Sequence, residues 1–287
     1  MKKIKLVIQG GLGNQLFQLS YMLDLQSRLK CTVEYSLESM IHDPIRELEI
    51  QGMLSNLGFS EAAFPGFFRK NKTLYKCYKR LAGFLFSNKF IVESIPRDGD
   101  DIFELIKRSN NNRFVIVGYF QSIKHVNNNV RLLRQAFFDW VSPNSVTLYY
   151  KDLIDNSNAS VFLHVRRGDY VSSKSASDHH GVCGTEYYTK AIKQIKCQAK
   201  SVPTFFIFSD EISWCKSNLG YFGLSPKDGV VFIEREGDVD SLQDMYLMSL
   251  CGTAVMANST YSWWGTQLNS CSQGEVFCPS KWFISGG

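Results

Sequence analysis

Ser160-Val161-Phe162-Leu163-His164-Val165-Arg166-Arg167-Gly168-Asp169-Tyr170 runs from an apolar, strand-length segment straight into charge. The piece 160–165 is too short for a stable helix and carries the branched and aromatic residues that suit a strand. Downstream, helical spacing at 186–199, 212–219 and 241–250 alternates with short apolar runs at 204–208, 230–233, 253–257 and 275–278, and a short helix is expected from Tyr261. Strands separated by helices predict right-handed βαβ units and a parallel sheet covered on both faces.

The same alternation opens the chain. A strand at 5–9 leads into the glycine turn Gly10-Gly11-Leu12-Gly13, then a helix at 14–29 with Asn14 at its cap position, then a strand at 31–35. Residues 40–110 read as irregular, basic and aromatic; a strand at 113–119 and a helix over Ile123–Trp140 follow. A helical piece lies between Pro143-Asn144-Ser145 and Asp155-Asn156-Ser157-Asn158, and the Asn/Ser-rich end is the expected linker. The prediction is an α/β protein of two Rossmann-like domains, 1–155 and 156–287, facing a cleft.

Composition narrows the classes. At 287 residues, 44% apolar and 14% aromatic, the chain can fill two cores, which excludes disordered, collagen-like and mini-protein classes. No apolar run approaches the roughly 20 residues of a membrane span, and the N-terminus lacks the apolar region and cleavage site of a signal peptide, so a cytoplasmic protein is expected. The eight cysteines include no CxxC pair, which removes zinc ribbons and thioredoxin-type motifs; most sit among apolar neighbours and read as reduced core fillers. Net charge is a modest +5, but the stretch 64–90 holds seven Lys/Arg, no acid and eight aromatics. Either a solvated amphipathic helix pair or a peripheral contact with anionic headgroups on the inner membrane face fits it. No nucleic-acid motif accompanies it, and no nucleic-acid partner is expected.

In open α/β sheets ligands collect beyond the carboxyl ends of the strands. Two arginines and a histidine there suit an anion, and a guanidinium forms paired bonds to phosphate oxygens. Strand alternation places His164 and Arg166 on one side, Val165 and Arg167 on the other. Arg166 is therefore assigned to the ligand, and Arg167 to a structural carboxylate such as Asp169. Gly10-Gly11-Leu12-Gly13-Asn14-Gln15 lets backbone approach a ligand but is not GxGxxG, so a dinucleotide fingerprint is lacking. In Asn258-Ser259-Thr260-Tyr261-Ser262-Trp263-Trp264, hydroxyls at a helix start serve as caps or as phosphate contacts, and both tryptophans are expected in the core. Asp210 and Glu211 follow a strand; Asp244 lies on the helix at 241–250. Asp238-Val239-Asp240 and His179-His180 are weak metal candidates, and no metal is expected.

These segments together resemble glycosyltransferase family 11, the bacterial α-1,2-fucosyltransferases. The resemblance rests on Gly-Gly-Leu-Gly-Asn-Gln at 10–15, His-Val-Arg-Arg-Gly-Asp-Tyr at 164–170, Phe-Ser-Asp-Glu at 208–211, and Asp244 through Ser-Thr-Tyr-Ser-Trp-Trp at 259–264. It implies a GT-B architecture, an acceptor-side first domain, a second domain binding GDP-β-L-fucose, and inversion without metal or cofactor. Carried over, Arg166 holds the β-phosphate, His164 and Asp244 read guanine, and Ser259 and Thr260 contact the diphosphate. Gly11 and Gly13 line the donor, and Asn14 reaches the donor phosphate or the reacting centre. Arg166, Asn14 and Asp169 are the expected catalytic residues. The implied acceptor is a galactose-terminated oligosaccharide or lipid-linked glycan, such as a lipopolysaccharide O-antigen unit; α-1,6 or α-1,3 linkage, or a non-catalytic binding module, are the alternatives. The related α-1,6 enzymes place a glutamate just beyond the arginines, but Tyr170-Val171-Ser172-Ser173-Lys174 has no carboxylate, so Asp169, Asp178, His179, His180 and Glu186 all stay open as the base.

Overall fold

The computed structural model describes residues 1–41, 43, 46–63, 89–92, 100–168, 182–234, 241–269 and 274–282; for 89–92, 100 and 101 it describes the backbone alone. The chain divides into two units, Met1–Trp140 and Val141–Gly287.

The first unit carries β1 (Lys3–Val7), α1 (Leu12–Leu29), β2 (Thr32–Ser36), α2 (Gln51–Asn56), β3 (Lys89–Val92), α3 (Asp100–Arg108), β4 (Arg113–Val117) and α4 (Ile123–Trp140). Its sheet runs β2-β1-β4-β3, every pair parallel. Because the chain moves outward from β1 to β2 and later fills β3 and β4 on the other side, the crossover direction reverses between β1 and β4. Such a reversal leaves a crevice at the carboxyl ends of those two strands. α1 is the central helix. Leu16, Leu19 and Met22 are fully buried, and each such side chain contributes roughly 1.5–3 kcal/mol relative to exposure.

The second unit carries α5 (Ser145–Asp155), β5 (Ser160–Val165), α6 (Thr185–Gln198), β6 (Thr204–Ser209), α7 (Ile212–Ser217), a 3-10 turn at Leu219–Phe222, β7 (Gly229–Phe232), α8 (Ser241–Leu250), β8 (Thr253–Val255), α9 (Thr260–Leu268) and β9 (Val276–Phe277). The sheet order is β7-β6-β5-β8-β9, again all parallel. Here the direction reverses between β5 and β8. Alternation along β5 separates two cores: Val161, Leu163 and Val165 face a cluster with Tyr188, Ile192 and Phe222, while Phe162 faces one with Leu247, Met248 and Met256.

Three expectations need correction. The helix predicted at 14–29 starts at Leu12, with Gly11 as its cap residue, so Asn14 sits inside the first turn and caps nothing. The stretch 40–110, read as irregular, contains α2, β3 and α3. The division between units falls at 140/141, ahead of the boundary expected at 155/156. The reason is that α5 belongs with the second sheet. Tyr150 on α5 donates to the Glu234 carbonyl (3.3 Å) and accepts from the Glu234 amide (3.0 Å), and Gln243 Nε2 on α8 donates to the Ser142 carbonyl (3.0 Å). Of the six described cysteines, Cys31, Cys215 and Cys251 are buried and all six are free thiols.

Candidate active site

The crevice between β5 and β8 is where the chain places its most costly side chains. β5 ends at Val165, and the next residues belong to a clamp built on β6. Asp210 Oδ1 accepts from the Arg167 amide (3.0 Å), and its Oδ2 accepts from the Gly168 amide (3.1 Å). Oδ2 also pairs with Arg166 Nη1 at 3.1 Å. One carboxylate thus holds three consecutive residues. Gly168 is required by that closeness, since a Cβ there would stand 2.9 Å from Asp210 Oδ2. Arg166 keeps 28% of its side chain accessible.

Arg167 does the structural work expected of it, though with another partner. Its Nε lies 3.3 Å from Glu211 Oε2, and its guanidinium lies 3.6 Å from the Trp214 ring centroid. The anticipated partner, Asp169, lies outside the described residues. Trp214 packs against the Val165 side of the sheet, so the two arginines part company as strand alternation predicts.

His164 is 4% exposed, and its Nδ1 is buried with no hydrogen-bond partner among the described residues. Burial, reinforced by the Arg166 charge, pushes its pKa from the usual 6.5 down to about 3, so the ring is neutral at physiological pH. An orphaned buried ring nitrogen costs on the order of 1–3 kcal/mol. A ligand group that completes the bond removes that cost. The ring of Tyr261 lies 5.6 Å from that of His164, and Tyr261 Oη donates to the Ser241 carbonyl at 2.6 Å. Tyr261 therefore ties three things to one place: the end of β5, the start of α9 and the start of α8, where Asp244 occupies the first turn.

At the start of α9, Ser259 Oγ accepts from the Tyr261 amide (3.2 Å). Its hydroxyl is thus a helix cap, and Thr260 is the first helical residue. Trp264 is fully buried, and Trp263 packs against the core beside it, both as expected.

In the first unit the glycine turn stands at the other crevice, between β1 and β4. Gly10 adopts φ +78°, which favours glycine. Asn14 Oδ1 accepts from Gln121 Nε2 (2.9 Å). Gln15, fully buried, donates to the Gly10 carbonyl (2.9 Å) and the Glu47 carbonyl (2.8 Å) and accepts from the Glu49 amide (3.0 Å). That amide welds the loop 46–49 onto the turn. Gly13 is buried in the first turn of α1.

The family model described as Glycosyl transferase family 11 matches residues 79–279. This chain belongs to glycosyltransferase family 11. Among relatives of this family 11 chain, an α-1,2-colitosyltransferase of Escherichia coli is 31% identical, covering 96% of this chain and 91% of that one. An O-antigen biosynthesis glycosyltransferase of Escherichia coli, WbnK, is 28% identical over 96% and 93% of the two chains. Among solved structures, the NodZ α-1,6-fucosyltransferase soaked with GDP-fucose superposes with a TM-score of 0.51 at 18% identity, covering 93% of this chain and 92% of that one. That likeness speaks for a shared GT-B fold, and with it the family 11 chain is a glycosyltransferase built on two Rossmann-like α/β units.

The structure brings together, on the second unit, Arg166 at the end of β5, His164 one residue inside it, and Tyr261 linking the starts of α8 and α9, which carry Asp244, Ser259 and Thr260. Asn14 and Gly11 stand on the first unit. Asp169, Asp178, His179, His180, Asp238, Asp240 and most of 64–90 lie outside the described residues, and Glu186 is exposed in the first turn of α6. Asp210 and Tyr261 received no role from the sequence. The signal for Asp210 was available: β6 follows β5 in a βαβ unit, so the first carboxylate after β6 must fall beside the arginines. Among the described residues no helix is long and apolar enough to cross a membrane.

Proposed function

We propose that this family 11 enzyme transfers L-fucose from GDP-β-L-fucose to the 2-hydroxyl of a terminal galactose on a glycan such as an O-antigen unit, with inversion and without a metal or cofactor. The observation that carries the reading is the pairing, at one switch point, of a neutral, orphaned ring nitrogen on His164 with a guanidinium on Arg166. A nucleoside diphosphate offers a polar edge of a planar base to the His164 nitrogen, and phosphate oxygens that suit a guanidinium.

The residues then divide the work. Arg166 meets the diphosphate, with Thr260 and the start of α9 beside it. His164 and Asp244 read the base. Ser259 acts as the cap that sets α9, with its hydroxyl at the edge of the same site. Asn14 is assigned to the donor phosphate or the reacting centre, as the family resemblance implies. The acceptor oxygen attacks the anomeric carbon as the bond from that carbon to the phosphate oxygen breaks, and GDP departs with the electron pair. Charge grows on the leaving oxygens, and fixed donors already in place there stabilise it. The acceptor proton goes either to one of Asp169, Asp178, His179, His180 and Glu186 or to the leaving phosphate itself.

A second donor is favoured by the colitosyltransferase relative: colitose differs from fucose only in lacking the 3-hydroxyl. The test is GDP release with lactose as acceptor, using GDP-fucose, GDP-colitose and UDP-galactose in the presence of a chelator. The proposal expects turnover with GDP-fucose, undiminished by the chelator, and a 2-linked product. Preference for GDP-colitose replaces the donor; turnover with UDP-galactose alone, or loss of activity in chelator, overturns the reading.

A further inference from the structure

The switch point of the first sheet carries a second built site. Beyond the ends of β1 and β4, side chains from three separate segments gather on the Gly10-Gly11 turn. A Cβ at Gly10 would stand 2.7 Å from Asn14 Nδ2 and 3.1 Å from Tyr119 Cε1, and one at Gly11 would stand 3.0 Å from Arg46 Nη1. Gln121 is bonded to Asn14. No acid among the described residues pairs with the Arg46 guanidinium, although its amide is held by Asp43 Oδ1 at 3.2 Å.

The backbone is strained to make this arrangement. Phe120 has φ +53°, a left-handed conformation that is an outlier for a bulky residue and costs on the order of 1–3 kcal/mol. It lets Phe120 turn inward, stacked on Tyr21 at a centroid distance of 4.0 Å, while Tyr119 points out with 41% of its surface exposed. An exposed ring beside two planar amides and a guanidinium is a surface for a sugar: the ring takes an apolar pyranose face, and the planar groups bond hydroxyls in pairs. Galactose fits it, because its axial 4-hydroxyl leaves the C–H groups of carbons 3, 4 and 5 together on one face.

We propose that Tyr119, Gln121 and Arg46 form the acceptor subsite, which holds the terminal galactose by stacking on Tyr119, with Gln121 and Arg46 on its hydroxyls. This rests on the reading of the enzyme as a galactoside transferase and names where the acceptor sits.

The test is steady-state kinetics with lactose and GDP-fucose. Tyr119→Ala and Gln121→Ala raise the KM for lactose at least tenfold, and Tyr119→Ala leaves the KM for GDP-fucose and the acceptor-free hydrolysis of GDP-fucose within twofold. Tyr119→Phe keeps the wild-type KM, since the ring and not the hydroxyl makes the contact. Tyr149→Ala, an exposed tyrosine of the second unit, changes nothing. Unchanged lactose KM in the alanine variants, or a rise confined to the donor KM, overturns the proposal. Saturation-transfer NMR with lactose alone is independent of the donor: transfer to the galactose C3–C5 protons in the wild type, lost in Tyr119→Ala, is expected, and its absence in the wild type overturns the subsite. Calorimetry with GDP reports separately on the donor reading, so the two failures are told apart.

Discussion

Replacing Asp210 by asparagine asks how much the proposed transfer depends on having Arg166 held in place beforehand. The carboxylate accepts two backbone amides, at 3.0 and 3.1 Å, and pairs with Arg166 at 3.1 Å. Bonds to a charged acceptor contribute about 1.5–3 kcal/mol each, and with the Asp210 side chain 24% exposed the lower end applies. Asparagine has one acceptor oxygen, so it keeps one amide bond, loses the other and loses the ion pair, a cost of about 2 kcal/mol. One effect opposes this: Arg166 is freed to give its whole charge to the diphosphate. For a pair this accessible that gain is below about 1 kcal/mol, because such partly exposed ion pairs are screened. Geometry wins over charge.

The expected outcome for Asp210→Asn is a fall in kcat/KM for the donor of roughly 10- to 30-fold. Asp210→Ala, which loses both amide bonds, falls by about 10²-fold and approaches the Arg166→Ala level. Gly168→Ala moves in the same direction, since its Cβ would stand 2.9 Å from Asp210 Oδ2. The assay is GDP release under donor-limiting conditions, with a thermal melt of each variant to separate misfolding from misplacement. If both Asp210 variants stay within threefold of wild type, or if they bind GDP more tightly, Arg166 is not positioned by Asp210 and the reasoning is wrong.

Four further outcomes are expected. Arg166→Ala lowers kcat by on the order of 10²–10³, and Arg166→Lys does not restore it, because a point charge cannot serve Asp210 and a phosphate together; a lysine variant keeping most of the activity in the GDP-release assay refutes this. His164 stays neutral from pH 8 down past pH 5, so GDP affinity by calorimetry shows no inflection near 6.5 from this residue. The same depressed pKa affects stability: below pH 6.5 the unfolded chain takes up a proton that the folded one refuses until about pH 3, so His164 makes stability fall on acidification by up to about 1.4 kcal/mol per pH unit. Urea titrations of His164→Leu at pH 7 and 5 should lack that slope, and an unchanged slope sinks the assignment. Gln15→Leu strips partners from the Gly10 and Glu47 carbonyls and the Glu49 amide and should cost about 3 kcal/mol in urea unfolding; a loss under 1 kcal/mol would mean the loop is held by other contacts.

The fold was readable wherever an element announced its period. α8 matched to the residue and α4 likewise, while β5, β6 and α6 shifted by one residue at most, because each has a buried face of the right repeat bounded by polar residues. Reading failed where the tertiary context chose the structure. The turn of α2 is only six residues long, and nothing periodic shows in so short a piece. The basic residues around β3 hid a strand whose partner, β4, lies some twenty residues further along. The linker was misplaced because an Asn/Ser-rich stretch after α5 looks more like a boundary than Pro143 before it. Packing of Tyr150 against Glu234 decides the matter, and no local pattern reveals that.

The site divides along the same line. His164 and Arg166 were singled out because ionisable side chains at a strand's carboxyl end are locally improbable, and a single sequence shows improbability of that kind. Asp210 and Arg46 are ordinary as residues; only topology makes them special. β6 lies beside β5, so a carboxylate following β6 reaches the amides following β5, forty-odd residues away in the chain. Arg46 is brought to Gly11 by the buried amide of Gln15, which joins Gly10 to Glu47 and Glu49. In both cases the proposed role of the cation is visible only with its holder. That is why the substitutions that discriminate best are at Asp210 and Gln15: they leave each cation in the sequence and change only the group that holds it.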